Sequence, residues 1–392
     1  MVKIMGQFDI RIDRRHTRSV KWDGMDKSFG TNSLLPMWVA DMDFPPPEEV
    51  LKALQLRMDH GIFGYTLIED STYEAIIKWV KKRHSWSVTK SQLLFSPGVV
   101  PSLGMAIQAF TQPGGKVLLQ SPVYTPFFHM AENNMREVLN SPLVLENGSY
   151  VIDFADLEEK LQEADLFLLC SPHNPGGRVW NEEELRKIGE LCVKHDVVIV
   201  SDEIHCDLTA PPHRHIPIAS LDKAFAERTV TCMAPSKTFN LAGIQSSFII
   251  VPNPEMKAKL ETIQSQQGFF TLNAFGIIGM EAAYQHGELW LDELLEYLKG
   301  NVSLVKEFIG AELPALDMME PEGGYLIWID CRRTGLSDEE IRERLLGRGR
   351  LALNFGNSYG PGGEGFIRMN IACPRETVRE GLERLKQAMR QT

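Results

Sequence analysis

Four short apolar runs in the middle of the chain alternate with segments of helical periodicity. The runs are KVLLQSP (116–122), LFLLCSP (166–172), VVIVSDE (197–203) and TVTCMAPSK (229–237). Continuous apolar runs of this length, rich in Val, Ile and Leu, are typical of strands that are covered on both faces. We therefore predict that each run is a buried strand of one sheet.

The segments between these runs have the spacing of amphipathic helices. In residues 181–195, an Asn and an acidic first turn precede apolar side chains at helical spacing, namely Leu185, Ile188, Leu191 and Cys192. An Asn cap followed by acidic residues favours the start of a helix. Residues 156–164 have a similar pattern. This alternation predicts an α/β fold whose large domain has a mostly parallel sheet between helices.

The pattern changes after about residue 285. A helical stretch at 288–309 is followed by an apolar run at 323–330, a helix near 337–347, a second run at 364–372 and a last helix from 375. Such a mixture predicts a smaller α+β domain. We expect it to be built from both termini, with residues 1–44 joining residues 286–392 and with residues 45–285 forming the large domain.

Composition and charge narrow the functional classes. A formal net charge of −11 over 392 residues gives no basic footprint for nucleic acid. No apolar run approaches the roughly 20 residues that span a bilayer, and the first ten residues lack a signal-peptide core. The six cysteines have no CxxC spacing, so we expect buried free thiols. We therefore expect a cytoplasmic protein with neither nucleic acid nor membrane as a partner.

Functional side chains follow the carboxyl ends of the predicted strands, where open α/β sheets bind ligands. These side chains are Tyr124, Asn174, Asp202 and Lys237, and SPGVV (96–100) follows a further apolar run. They bring a ring, an amide, an acid and an amine to one edge of the sheet. Packing alone does not require this chemistry.

This set of side chains fits a pyridoxal phosphate site. A lysine in a partly dry pocket becomes a free amine, which forms Schiff bases with aldehydes. A buried Asp202 requires a cationic partner, and a pyridinium nitrogen held by it makes the ring an electron sink. Asn174 suits the phenolate oxygen, and Tyr124 suits stacking on the ring. Gly98 lies at a turn before a helix, where backbone N–H groups attract a phosphate.

The same residues lie in motifs that resemble the fold-type I pyridoxal phosphate enzymes, the aspartate aminotransferase superfamily of class I and II. SPHNPGGRVW, SDEIHCDL, APSKTFNLAG, MWVADMDFPPP and FIRMNIACPR follow the family's order. PMWVADMDF and DEIHCDL resemble the cystathionine β-lyase, or cysteine C–S lyase, branch. The likeness covers nearly the whole chain, and it implies a homodimer with shared active sites.

The resemblance implies roles for matching residues. Lys237 binds the cofactor covalently and moves protons at the substrate α-carbon, Asp202 pairs with the pyridine nitrogen, and Arg368 binds the substrate carboxylate. Tyr124 is implied as a second catalytic residue, and Tyr65 is implied to reach the site from a second subunit. The remaining contacts implied with cofactor or substrate are Asn174, Val99, Val100, Ser236, His205 and Ala40.

Two positions depart from the aminotransferase pattern. His205 stands where many of these enzymes have a tyrosine, and Gln245 stands where many have a basic residue. The phenolate therefore loses one donor and the phosphate loses one charged contact. Both changes resemble the lyase branch.

The leading hypothesis is β-elimination on a cysteine S-conjugate such as L-cystathionine, which gives a thiol, pyruvate and ammonia. An aminotransferase shares the early steps and stays an alternative, and a regulatory protein that retains the fold is a lesser one. Structural roles also stay open: an ion pair for Arg368, and packing for Tyr124 and Tyr65. His205, Cys206 and the histidines of PPHRH (211–215) have no tetrahedral zinc spacing, so we predict no metal.

Overall fold

The computed structural model describes residues 6–209 and 211–390. At its centre lies a seven-stranded sheet in which one strand, Ser247–Ile250, is antiparallel to both neighbours. From edge to edge the strands are Leu93–Ser96, Ser247–Ile250, Thr229–Met233, Val198–Asp202, Leu166–Cys170, Lys116–Leu119 and Glu137–Asn140. The predicted α/β class with a mostly parallel sheet is confirmed.

Helices cover both faces of this sheet, which explains the continuous apolar runs. Leu166 and Leu168 pack in a cluster with the helix Val99–Phe110, whereas Phe167 and Leu169 pack in another with Glu182–Lys194. Side chains alternate between faces along a strand, so both faces of this strand are buried. The other helices of this part are Glu48–His60, Asp70–His84, Pro126–Asn133, Phe154–Leu161, Lys223–Ala226, Pro235–Thr238, Pro254–Gln266 and Ala274–His286.

A second, antiparallel sheet lies in the C-terminal part. Its strands, in spatial order, are Asp317–Met319, Leu326–Asp330, Phe366–Asn370 and Asn354–Phe355. The accompanying helices are Glu288–Glu312, Asp338–Arg344, the π-helical turn Leu345–Gly349 and Arg375–Met389.

The N-terminal segment packs on this C-terminal part. It contains the short helices Val20–Asp23 and Met25–Phe29, and its strand Leu35–Pro36 pairs in parallel with Leu351–Ala352. The domain limits at residues 44 and 285 stay a prediction.

The run at 229–237 differs from its prediction as one strand. The strand ends at Met233, and the short helix Pro235–Thr238 follows it. Pro235 has no N–H to give to a strand ladder, and its fixed φ suits the first turn of a helix. Lys237 therefore lies on a helical turn just beyond the carboxyl edge of the sheet.

Candidate active site

Lys237 contacts the N-terminal segment through one carbonyl group. Its Nζ donates to the carbonyl oxygen of Ala40 at 2.6 Å, and the Tyr325 hydroxyl donates to the same oxygen at 3.0 Å. Burial, together with the cation of Arg368, lowers the pKa of Lys237 to about 8. More of this lysine is therefore a free amine at neutral pH than is usual.

Asp202 is the last residue of the strand Val198–Asp202 and is only 4% exposed. One of its oxygens accepts from the backbone N–H of Ile204 at 3.1 Å. Burial raises the pKa of Asp202 to about 7, although the nearby Lys237 acts to lower it. Within the described parts of the chain, no side chain hydrogen-bonds this carboxyl group. A buried acid of this kind favours a cationic donor as its partner.

Arg368 and Asn174 meet above this edge of the sheet. Arg368 donates through Nη1 to the Asn174 amide oxygen at 3.1 Å. Through Nη2 it donates to the Trp38 carbonyl at 2.9 Å and to the Asn354 amide oxygen at 2.7 Å. All three acceptors are neutral, and the guanidinium is buried. Among the residues that the structure describes, Arg368 therefore has no carboxylate partner. The structural ion pair that the sequence left open for Arg368 does not form with any of them.

Tyr124 and His205 both lie in the site in uncharged form. Burial and the charge of Asp202 raise the pKa of Tyr124, so its phenol keeps its proton. The Tyr124 backbone N–H donates to the Asn174 carbonyl at 3.1 Å, which joins the loops that carry the two residues. Burial lowers the pKa of His205 to about 3. This histidine therefore contributes no positive charge.

The residues predicted to hold a phosphate lie at helix N-termini. Val99 and Val100 form the first turn of Val99–Phe110, after Gly98, and Ser236 lies in Pro235–Thr238. The Gly98 carbonyl accepts from the side chains of Ser96 and Ser102, at 3.1 and 3.0 Å, which fixes the turn. First-turn N–H groups without intrahelical partners are suited to bind an anion at this end.

Two predicted or singled-out positions lie at the surface of the chain. The Tyr65 ring is fully exposed, in the segment 61–69 between the helices Glu48–His60 and Asp70–His84. A single chain therefore does not enclose this ring. Gln245 is exposed as well, with a left-handed φ of 50°.

Sequence reasoning missed several groups that shape the site. Tyr325 lies in the apolar run at 323–330, where nothing marked it as functional, and Asn354 lies outside the motifs. The family resemblance implied Ala40 as a contact, whereas the Trp38 carbonyl is a main-chain group that no side-chain pattern marks. Among the motifs, only MWVADMDFPPP pointed to this part of the site, because it contains both Trp38 and Ala40.

A compact cluster behind Lys237 bears on the metal question. Ligand atoms of His84, Cys206 and Asp207 lie within 4.8 Å of one another. The Asp207 carboxylate accepts from Trp79 Nε1 at 3.0 Å, His84 Nε2 at 2.9 Å and Thr238 Oγ1 at 2.8 Å. Both carboxylate oxygens are thus used in a hydrogen-bonded network. The network gives His84 and Asp207 a structural role, and the absence of a metal stays a prediction.

The chemistry of the site fits pyridoxal phosphate. Asp202 offers a buried acid to a pyridinium nitrogen, and Lys237 offers an amine to an aldehyde. Arg368 Nε and His205 Nδ1 are buried, and no described atom hydrogen-bonds them. A polar ligand would satisfy such groups, which buried structures seldom leave unpaired.

Comparison with known proteins agrees with this fold and with the cofactor. The family described as aminotransferase class I and II matches residues 34–385. The cystathionine β-lyase PatB of Bacillus subtilis is 50% identical over 384 residues, covering 97% of this chain and 99% of its own. Cystalysin from Treponema denticola, whose structure contains pyridoxal 5′-phosphate, superimposes with a TM-score of 0.95 at 35% identity, covering 98% and 99% of the two chains.

A third relative has a similar fold and also binds pyridoxal phosphate. The pyridoxal phosphate-bound C–S lyase of Staphylococcus hominis superimposes with a TM-score of 0.91 at 34% identity, covering 99% of each chain. Fold and site together define a pyridoxal phosphate-dependent enzyme. The chain belongs to the class I and II aminotransferase family.

Proposed function

We propose that this enzyme cleaves the Cβ–S bond of cysteine S-conjugates such as L-cystathionine, giving a thiol, pyruvate and ammonia. One observation carries the proposal: the amine of Lys237 and the guanidinium of Arg368 face one buried edge of the sheet, and no described carboxylate pairs with the guanidinium. The similarity to PatB, to cystalysin and to the C–S lyase of Staphylococcus hominis supports the lyase branch.

Each side chain has a defined task in this proposal. Pyridoxal phosphate, when bound, supplies a cationic ring that takes up electrons from the substrate α-carbon. Lys237 removes the α-proton, for which a pKa of about 8 is well placed. Arg368 binds the substrate carboxylate with its planar fork. Tyr124, which holds its proton, donates it to the departing sulfur.

The other site residues hold the cofactor and the substrate. Asp202 holds a proton on the ring nitrogen, and Asn174 donates its amide N–H to the phenolic oxygen while its own oxygen accepts from Arg368. The remaining proposed cofactor contacts are the phosphate ligands Val99, Val100 and Ser236, together with His205. Ala40 contacts the substrate, since its carbonyl already reaches Lys237.

We also propose a homodimer in which Tyr65 completes the site of the partner subunit. Exposed apolar side chains surround this tyrosine along the chain, in a surface that we call the apolar face. It consists of Leu56, Met58, Ile62, Phe63, Tyr65 and Leu67. Contiguous exposed apolar side chains of this kind mark interaction sites.

Localisation in the cytoplasm is part of the same proposal. The six cysteines are free and buried, which suits a reducing compartment. None of the helices in the described ranges is both long and apolar enough to cross a membrane.

The deciding experiment supplies cystathionine to the purified enzyme without any 2-oxo acid. Continuous release of pyruvate and thiol supports the lyase. Turnover that depends on an added 2-oxo acid contradicts it and favours the aminotransferase.

Lys237→Ala tests the role of the amine. Loss of general base catalysis alone lowers turnover by about 10²–10⁴-fold. Lys257→Ala is the matched control, because Lys257 forms a helix ion pair with Glu261 at 2.6 Å and should leave turnover unchanged. Near wild-type turnover in Lys237→Ala contradicts the mechanism.

A further inference from the structure

A charged cluster in the N-terminal segment holds the backbone that contacts Lys237. Arg14 donates to both oxygens of Asp41, at 2.7 and 3.0 Å, and to Asp43 at 2.7 Å. Lys21, which is 1% exposed, lies 2.8 Å from Asp43 and 3.6 Å from Asp41. We call these four residues the clamp. Sequence motifs of the site do not account for Arg14 or Lys21.

The side-chain amides of Asn240 and Asn370 also hold the backbone around Ala40. Asn240 bonds the N–H and the carbonyl of Met42, both at 3.0 Å. Asn370 Nδ2 donates to the carbonyls on either side of Ala40, both at 2.6 Å. The Ala40 carbonyl between them is therefore held in place where it accepts from Lys237.

The clamp also sets the charge near the lysine. The groups that face Lys237 come from three parts of the chain. They are Arg368 on the strand Phe366–Asn370, Asp202 at the end of the strand Val198–Asp202 with His205 after it, and Asp41 in the N-terminal segment. Arg368 acts to lower the pKa of Lys237, whereas Asp41 and Asp202 act to raise it. Arg14 neutralises Asp41 through two hydrogen bonds, so it limits how much of that negative charge reaches the lysine.

We propose that Arg14 and Asp41 are positioning residues, which hold the Ala40 carbonyl against Lys237 and balance the charge at its nitrogen. This inference rests on the proposed function only in that Lys237 carries the cofactor. It assigns the clamp a part in the chemistry in addition to its part in folding. The consequence is that removing the charge of Asp41 and removing the charge of Arg14 shift the pKa of the Lys237 nitrogen in opposite directions.

The test titrates the visible absorbance of the lysine-bound cofactor against pH in the holoenzyme. This absorbance reports the protonation of the nitrogen that joins Lys237 to the cofactor. Asp41→Asn removes a negative charge near that nitrogen, so its pKa falls by about half a unit to one unit. Arg14→Gln leaves the charge of Asp41 unbalanced, so the pKa rises by a similar amount. Arg14→Lys keeps the positive charge, so the pKa should lie closer to that of the wild type. Shifts of Asp41→Asn and Arg14→Gln in the same direction, or no shift in either, overturn the proposal.

Two further variants separate charge from folding. Arg15→Gln is the matched control, because Arg15 pairs with Asp13 at the exposed surface and should leave the titration unchanged. Asp43 is more buried than Asp41, so Asp43→Asn should lower Tm at least as much while shifting the Lys237 pKa less. If the pKa shift simply follows the loss in Tm, the clamp acts only through folding and the proposal fails.

These readouts are independent of the reaction that the enzyme catalyses. A protein that fails to release thiol from cystathionine can still show the opposite shifts, and the reverse also holds. If Arg14→Gln does not yield folded protein, the comparison of Asp41→Asn with Asp43→Asn decides the question alone.

Discussion

At the scale of single residues, Asp202 shows how burial prepares a side chain for its partner. Its pKa of about 7 in the cofactor-free chain, against an ordinary 3.8, means that the folded state binds a proton more tightly than the unfolded state. Its contribution to stability is therefore full below about pH 4 and is lost as the pH rises through about 7. A pyridinium partner reverses this cost because the carboxylate then forms a charge-assisted hydrogen bond.

Replacing Asp202 by Asn tests this relation. The amide has no charge to bury, so the cofactor-free Asp202→Asn protein should be more stable than wild type at about pH 8, by about 1.4 kcal/mol per unit of pKa shift. The gain in free energy of unfolding should shrink toward about pH 5, as thermal or urea unfolding at both pH values would show. The same variant should bind pyridoxal phosphate at least about tenfold more weakly, because one charge-assisted hydrogen bond is lost. A stability difference that does not change with pH contradicts a raised pKa.

Side chains at strand ends were the part of the site that sequence could predict. Lys237, Asp202 and Asn174 each follow an apolar run, and the structure brings all three to one edge of the sheet. Ala40 was predicted only through the family resemblance, because its carbonyl meets Lys237 across a separation of 197 residues along the chain. Such a contact depends on tertiary packing, and no local pattern records it. The roles of these residues in catalysis stay predictions.

At the scale of elements, continuous apolar runs identified the central strands but not every strand. The edge strand Glu137–Asn140 is mostly half-buried, so it lacks the apolar run that marks a strand covered on both faces. The strand Ser247–Ile250 was not predicted either, although it is fully buried, and it is the antiparallel member of the sheet. The helix cap at Asn181 was easier to predict, because Asn181 precedes an acidic turn. Its side-chain oxygen accepts from the Glu184 N–H at 2.9 Å.

The loop at 356–366 is an element whose glycines have a physical reason. A Cβ on Gly356 would lie 1.9 Å from the carbonyl oxygen of Gly363, so two backbone segments approach closely there. The same loop supports the loop that carries Tyr124: the Tyr359 carbonyl accepts from the Val123 N–H at 2.9 Å. The glycine-rich run thus serves close packing beside the site.

Gly356→Ala should therefore reduce both stability and turnover. Forcing a methyl group into this contact costs about 1–3 kcal/mol in free energy of unfolding. The displaced loop should also lower kcat/KM, since it contacts the segment of Tyr124. Gly310→Ala is the matched control: Gly310 lies exposed in the helix Glu288–Glu312, and its Cβ would meet no atom within 4 Å. That change should stabilise the protein by about 0.5–1 kcal/mol, and equal losses in both variants would contradict the explanation.

At the scale of the whole molecule, the site as proposed is incomplete within one chain. Tyr65 is fully exposed, and the apolar face around it is uncovered in the single chain. A symmetric dimer buries the same surface of both copies. A residue at the edge of that surface can therefore reach the partner's site from each of the two chains. In this proposal the oligomeric state is part of the catalytic mechanism as well as of stability.

Mixed dimers test this sharing of residues directly. Lys237→Ala and Tyr65→Ala should each be nearly inactive as pure dimers, and light scattering would first verify that both remain dimeric. If Tyr65 acts across the interface, a mixed dimer has one doubly defective site and one intact site. Random exchange of equal amounts makes half of the dimers mixed, so about a quarter of all sites are restored, and turnover of cystathionine should rise accordingly. If Tyr65 instead serves its own chain, every site in the mixed dimer carries one defect and mixing restores no activity.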